Sequence, residues 1–162
     1  MQVNKNNITQ FLTATNVSFM IPVYQRNYDW TEENCKQLWD DIWYIAQSQD
    51  NHTHFLGTIC TKSMNSHERT VIDGQQRITT ITLFMKAMHD FVDNQDFKKD
   101  IDATFLRNTG FGVAANHRVK LHLNRRDDAV YNKLLESSEL TRPDELSEKE
   151  IESSIYANYS FF

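Results

Sequence analysis

Turn-forming residues are scarce in this chain. Glycine occurs four times and proline twice in 162 residues, where average usage would supply roughly 19 of the two together. That shortage argues against a many-stranded sandwich or barrel and for long helices with a few strands. Cysteine is almost absent. Cys35 and Cys60 are the only two, too few for a disulfide framework, and their spacing fits no metal knuckle. Both read as reduced thiols of a cytoplasmic protein. No apolar run approaches the roughly 18 residues of a membrane span, and the start MQVNKNNITQ carries no secretory pattern. Basic residues are outnumbered, 17 against 22 acidic, for a formal net charge of -5. A chain with that balance does not coat nucleic acid by bulk charge, although a local basic site remains open to it. Phosphate loops and hydrolase signatures are missing too: no G-x-x-x-x-G-K-[ST], G-x-G-x-x-G, G-x-S-x-G or H-E-x-x-H occurs.

What is present is an ordinary apolar fraction of 40% with 12% aromatic residues, enough for one domain spanning residues 1–162. The patterns predict a short helix over Ile8 to Leu12 and an extended Phe19 to Val23, where Pro22 disfavours a helical Ile21. Thr31 N-caps a long helix carrying Cys35, Leu38, Trp39, Ile42 and Ile45 on one face, with Gln49 to His52 as the loop beyond it. Phe55 to Thr61 and Thr70 to Ile72 have strand composition, so an antiparallel hairpin is expected across the polar Lys62 to Arg69. A second long helix starts near Gly74, with a stripe of Ile81, Phe84, Met85, Met88, Phe91 and Val92. Residues 97–116 have little pattern. Arg118 to Leu123 alternates as a half-buried strand, and Asn124 caps a helix bearing Val130, Leu134 and Leu135. Ser147 to Glu150 has the form of a capping box for a last helix, with Ile151, Ile155, Tyr159 and Phe162 along one face. That helix ends without a polar finish, as though cut short.

Two segments carry the chemistry. In Ile72-Asp73-Gly74-Gln75-Gln76-Arg77-Ile78-Thr79-Thr80, Asp73 is a natural N-cap and Gln76 its reciprocal partner in a capping box. Gly74 permits close backbone approach at the expense of helix stability. Arg77 sits in the first turn, where the macrodipole disfavours a cation unless an anion sits there with it. Free amides, Gly74, Arg77 and the hydroxyls of Thr79 and Thr80 together suit a phosphate; the plain alternative is Arg77 paired outward with a carboxylate. The second segment is Ile21-Pro22-Val23-Tyr24-Gln25-Arg26-Asn27-Tyr28-Asp29-Trp30. Tyr24, Gln25 and Arg26 are its functional candidates, able to stack on a base and reach its edge or phosphates, while Tyr28 and Trp30 suit core anchors.

Weaker signals surround them. His52 and His54 share a His-x-His spacing without a third ligand, so no metal site is expected, and His54 reads as a hydrogen-bonding residue at the mouth of the site. Asp40 and Asp41 read as solvated surface. Arg118, Lys120, Arg125 and Arg126, with His117 and His122, form a basic strip suited to a nucleic-acid backbone, or to balancing the acidic stretch from Glu136 to Glu152.

Taken together and in this order, IPVYQRNYDW, HFLGTI and VIDGQQRITTITLFMKAM resemble the N-terminal domain of the GmrSD-type (type IV) restriction endonucleases. The resemblance is strongest over residues 7–91 and continues more weakly through VKLHLNRRDDAVYNKLL. It implies a ParB/sulfiredoxin-like α+β fold, a small mixed sheet packed with long helices. It also implies binding of a nucleoside triphosphate with Mg²⁺ and, in active members, hydrolysis coupled to defence against modified foreign DNA. By that analogy Arg77 and the helix amides hold phosphate, Gln75 or Gln76 orients an attacking water, and Tyr24 and Gln25 contact nucleotide or a modified DNA group. Such proteins resemble two-part machines with a C-terminal H-N-H nuclease, and no H-N-H centre occurs here. The expectation is a module without nuclease activity, working with a nuclease domain or effector subunit and open to homo-oligomerisation. Two other readings compete: a non-enzymatic DNA- or protein-binding module using the basic strip, and a regulatory partner docking through Ile151, Ile155, Tyr159 and Phe162.

Overall fold

The computed structural model describes residues 6–13, 16–48, 53–137 and 139–162. The predicted loop from Gln49 to His52 lies outside them, as does the His52 half of the His-x-His pair. The elements run α1 (Ile8–Leu12), β1 (Ser18–Met20), α2 (Glu32–Gln47), β2 (Cys60–Ser63), β3 (Glu68–Asp73), α3 (Gln75–Phe91), α4 (Gln95–Ile101), β4 (Leu121–His122), α5 (Arg125–Glu136), α6 (Glu148–Ile151) and α7 (Ser154–Phe161). A π-helical turn, Asp102–Leu106, extends α4.

The fold is α+β. Its sheet is mixed, in the order β2-β3-β1-β4: β1 lies parallel to both β3 and β4, and β2 closes one edge antiparallel to β3. Phe19, Val71 and Leu121, one from each of the three parallel strands, are essentially inaccessible. They belong to one core cluster that also takes Leu12 from α1, Ile78 and Leu83 from α3, Tyr131 and Leu134 from α5, and Ile155 and Tyr159 from α7. Residues on both sides of the weakly patterned stretch therefore share one core, and Ile101 and Leu106 of that stretch are inside it.

Several predicted boundaries move. The hairpin strand is Cys60–Ser63, not Phe55 to Thr61, and its partner begins at Glu68. Residues 53–59 stay outside the sheet as an irregular strap, because the ladder begins only at Cys60 opposite Asp73, next to a register shift at Thr61. The Arg118 to Leu123 strand contracts to Leu121–His122, with Val119 in an isolated bridge to Arg107. Helix α3 is the central helix, buried on most of its circumference rather than along one stripe, while Phe91 of the predicted stripe is exposed. Thr80 and Thr82 tolerate that burial by donating their hydroxyls to the carbonyls of Gln76 and Ile78, 2.8 and 2.7 Å away.

The C-terminal region is two helices broken at Glu152 and Ser153, not one. Ile155 and Tyr159 are buried in the core, Ile151 packs against it, and Phe162 meets the Phe84 ring at 5.2 Å. The face predicted to dock a regulatory partner is thus consumed by the fold itself. A buried polar group secures α7: Asp90 of α3 accepts from the Tyr159 hydroxyl (2.6 Å) and pairs with the almost fully buried Lys86, which also donates to the Ser137 carbonyl at 2.9 Å.

Glu150 ties α6 to α5. It accepts from the Lys133 ammonium at 2.6 Å and from the Ser147 N–H at 2.8 Å, completing the predicted capping box. Lys133 first, then the Ser147 bonds, hold its carboxyl down to about 2 from the usual 4.5. A depressed carboxylate stabilises the fold above its unfolded pKa and loses that contribution as the pH falls toward the folded value. The urea midpoint of Glu150→Gln should therefore lie below that of the parent chain at neutral pH, and the gap should close between pH 4.5 and about 2.

Candidate functional site

Strand β3 leads directly into α3 through Gly74, and this junction organises the site. Gly74 itself is the N-cap, in the left-handed region at φ 90°. A Cβ there would stand 3.0 Å from the Ile59 side chain and 3.1 Å from the Thr58 carbonyl oxygen. The predicted Asp73 to Gln76 capping box does not form, because Asp73 is the last residue of β3 and the chain turns one residue later. The close approach that Gly74 permits is to the strap at Thr58 and Ile59 of this same chain.

The two glutamines after Gly74 are turned inward. Gln76 accepts from the Asp29 N–H through Oε1 and donates to the Asn27 carbonyl through Nε2, both at 3.1 Å. Gln75 donates to the Arg26 carbonyl at 3.2 Å. Both residues are buried. Their amides position the loop 24–30, so the expected water-orienting role would require displacing that loop. Thr79 and Thr80 are buried as well, and the Thr80 hydroxyl is occupied, donating to Gln76 and accepting from Tyr28 at 2.7 Å. Neither threonine reaches an open phosphate cradle.

The loop is held from two further directions. Asp127 of α5 accepts the Tyr28 N–H at 2.7 Å, and Asn124 donates to the Asn27 side chain at 2.7 Å. Asn158 of α7 donates to the Tyr28 hydroxyl (3.0 Å) and the Trp30 carbonyl (2.6 Å). Asn124, Asp127 and Asn158 are the residues that sequence reading missed. A helix N-cap and a first-turn acid look ordinary in sequence, and only the packing aims them at the loop. Burial pushes the Asp127 carboxyl upward, against the lowering effect of the Tyr28 N–H. The cleft that Asn124 and Asp127 form with Arg26, Gln75 and Gln76 encloses only about 10 Å³, about the room of one water.

The remaining candidates divide between two sides of the α3 start. Tyr24 is exposed, Gln25 donates to the Ile72 carbonyl at 2.9 Å, and Arg26 pairs with Asp29 at 2.8 Å. On the other side, Arg77 and His54 line one cavity of about 210 Å³ between α2 and α3. The Arg77 guanidinium donates to the Thr58 carbonyl and lies across Gly57, where a Cβ would come within 3.0 Å of it. His54 faces Asp41, which is no mere surface acid, with Nε2 to Oδ2 at 3.5 Å. Trp30, Asn34, Gln37 and Leu38 complete the α2 wall. Among the described residues no group of three or more His, Cys, Asp or Glu side chains is placed to hold a metal.

The basic strip is only partly a surface. Arg118, Arg125 and Arg126 are exposed. Lys120 is buried at 2% exposure, and its ammonium donates to the Leu12 carbonyl at 2.8 Å. It therefore satisfies the end of α1 and is unavailable to a nucleic acid. Burial also pushes its pKa down.

The loop clamp gives a stability test. Asp127→Leu leaves the Tyr28 N–H unpaired and should lower unfolding free energy by about 1–3 kcal/mol. Asp127→Asn keeps an acceptor and removes a buried charge, so it should unfold in urea at or above the parent midpoint at neutral pH.

None of the curated proteins compared with the chain matches it. The sequence model described as the GmrSD restriction endonuclease, N-terminal domain, matches residues 6–162. No helix of the described residues is long and apolar enough to cross a membrane. With a match that covers essentially its whole length, the chain belongs to the GmrSD N-terminal domain family and is a component of a DNA-restriction, phage-defence system.

Proposed function

We propose that this chain is the nucleoside-triphosphate-binding module of its restriction system, and that the ligand sits at the cavity between α2 and the start of α3. One observation supports this reading above the others. Arg77, a cation in the first turn of α3, converges with His54 on an open cavity of about 210 Å³ and makes no ion pair among the described residues. A guanidinium there offers charge-assisted donors to phosphate, and the helix start favours the same sign of ligand. Mg²⁺ would arrive with the phosphates, since such ions bind through one or two carboxylates plus substrate oxygens, and Asp41 is the carboxylate on this cavity.

The residues of the chain divide the work. Arg77 and His54 contact the anion, Gly57 and Gly74 let the strap lie under Arg77 and against the α3 start, and Gln75 and Gln76 hold the loop that closes the opposite side. Hydrolysis coupled to sensing of modified DNA is the further part of this proposal. The second reading, a DNA-binding module without turnover, draws support from the exposure of Arg118, Arg125 and Arg126.

Titration calorimetry with the four triphosphates and Mg²⁺ tests the proposal. At least one should bind, and Arg77→Ala should weaken it by tenfold or more, in line with about 1.5–3 kcal/mol for a hydrogen bond to a charged group. Absence of binding by all four, together with a salt-dependent shift of DNA that nucleotide leaves unchanged, overturns it in favour of the second reading.

A further inference from the structure

Both long walls of the cavity set polar groups among the apolar Leu38, Leu56 and Ile81, but the polar groups of the two walls differ in kind. The α3 side and the strap bring Arg77 and His54. The α2 side brings the Asp41 carboxylate, which faces His54, and beyond it two uncharged amides: Asn34 and Gln37 lie three residues apart on one helix face, about one turn from each other. Asn34 uses its Oδ1 to accept from the Thr31 N–H and hydroxyl at 3.0 and 3.2 Å, which aims its amino group away from the cap. Among the described residues no hydrogen bond engages the Gln37 carboxamide. Trp30 adds an aromatic wall, and its backbone is fixed by the Asn158 amide at 2.6 Å.

Size narrows the guest. Pockets that enclose a whole drug-sized ligand run to roughly 300–1,000 Å³, and this one measures about 210 Å³. It has room for one heterocycle and not for a complete triphosphate. A ring with a hydrogen-bonding edge and a stacking face is what an unpaired carboxamide, an amino donor and an indole recognise together.

Resting on the nucleotide reading above, we propose that the α2 wall is the nucleobase subsite. Gln37 and Asn34 read the edge of the base, Trp30 supplies its stacking surface, and Arg77 with His54 takes the phosphates at the other side. Base selectivity therefore resides in α2 and its entry. Tyr24 and Gln25, the aromatic and amide expected from sequence to meet the base, do not line this cavity. The base must offer at least one carbonyl or ring-nitrogen acceptor to the Asn34 amino group, while the Gln37 carboxamide can serve either sign of partner.

The test compares the parent chain with Gln37→Ala and Trp30→Leu, using calorimetry with ATP, GTP, CTP, UTP and inorganic tripolyphosphate. Gln37 is an exposed helix residue, so its truncation leaves the fold intact, which circular dichroism verifies. The expected result is that Gln37→Ala compresses the preference among the four triphosphates by about fivefold or more while tripolyphosphate affinity is unchanged. Trp30→Leu should weaken all four nucleotides and spare tripolyphosphate. Unaltered preference in both variants, with nucleotides still bound, overturns the base subsite and leaves the nucleotide reading standing. Failure of every nucleotide to bind the parent chain overturns both.

Discussion

The backbone from Arg26 to Trp30 belongs to no helix or strand, yet side chains of three helices hold it. Its peptide groups bond to Gln75 and Gln76 of α3, Asp127 of α5 and Asn158 of α7. Buried peptide groups left unpaired would each be costly, so three helices distant in sequence must meet this loop together. The Tyr28 hydroxyl adds the inner layer, donating to Thr80 and accepting from Asn158. Because the loop delivers Trp30 to the cavity and leads into α2, the geometry of the candidate site follows from this polar clamp more than from the apolar core beneath it.

The clamp also changes how the conspicuous DGQQR string is understood. Its members do not share one task. Gly74 makes the turn and admits the strap, the two glutamines face inward to the loop, and Arg77 alone turns to the open cavity. A motif contiguous in sequence is distributed over two sides of a helix, since successive residues in a helix are separated by about 100°. Arg77 stands apart from the others because its guanidinium lies over Gly57, a residue with φ +88 in a strap that precedes it by two strands.

Much of the architecture was legible from local chemistry. The caps at Thr31, Asn124 and Ser147, the short first helix and the start of α3 at Gly74 each follow from residue type and spacing. Less legible were features that depend on a partner far along the chain. Lys120 alternates as a solvent-facing residue should, yet it is drawn inward by the unpaired carbonyl at the end of α1. Lys86 and Asp90, four residues apart on α3, are a buried pair only because α7 brings Tyr159 over them. Thr79 and Thr80 look like ligand hydroxyls because sequence does not show that a helix will be enclosed on nearly all sides.

The sequence alone determined the long helices α2, α3 and α5 and the presence of an unusual cation at a helix start, because capping, periodicity and dipole effects act within a turn or two. Tertiary structure decided which polar side chains remain available to a ligand. Asp41 became a cavity residue, Lys120 an internal one, and the glutamines parts of a clamp. The reason is that hydrogen-bond satisfaction in an interior is a property of the whole assembly of helices: a donor is committed or free according to what the fold brings opposite it.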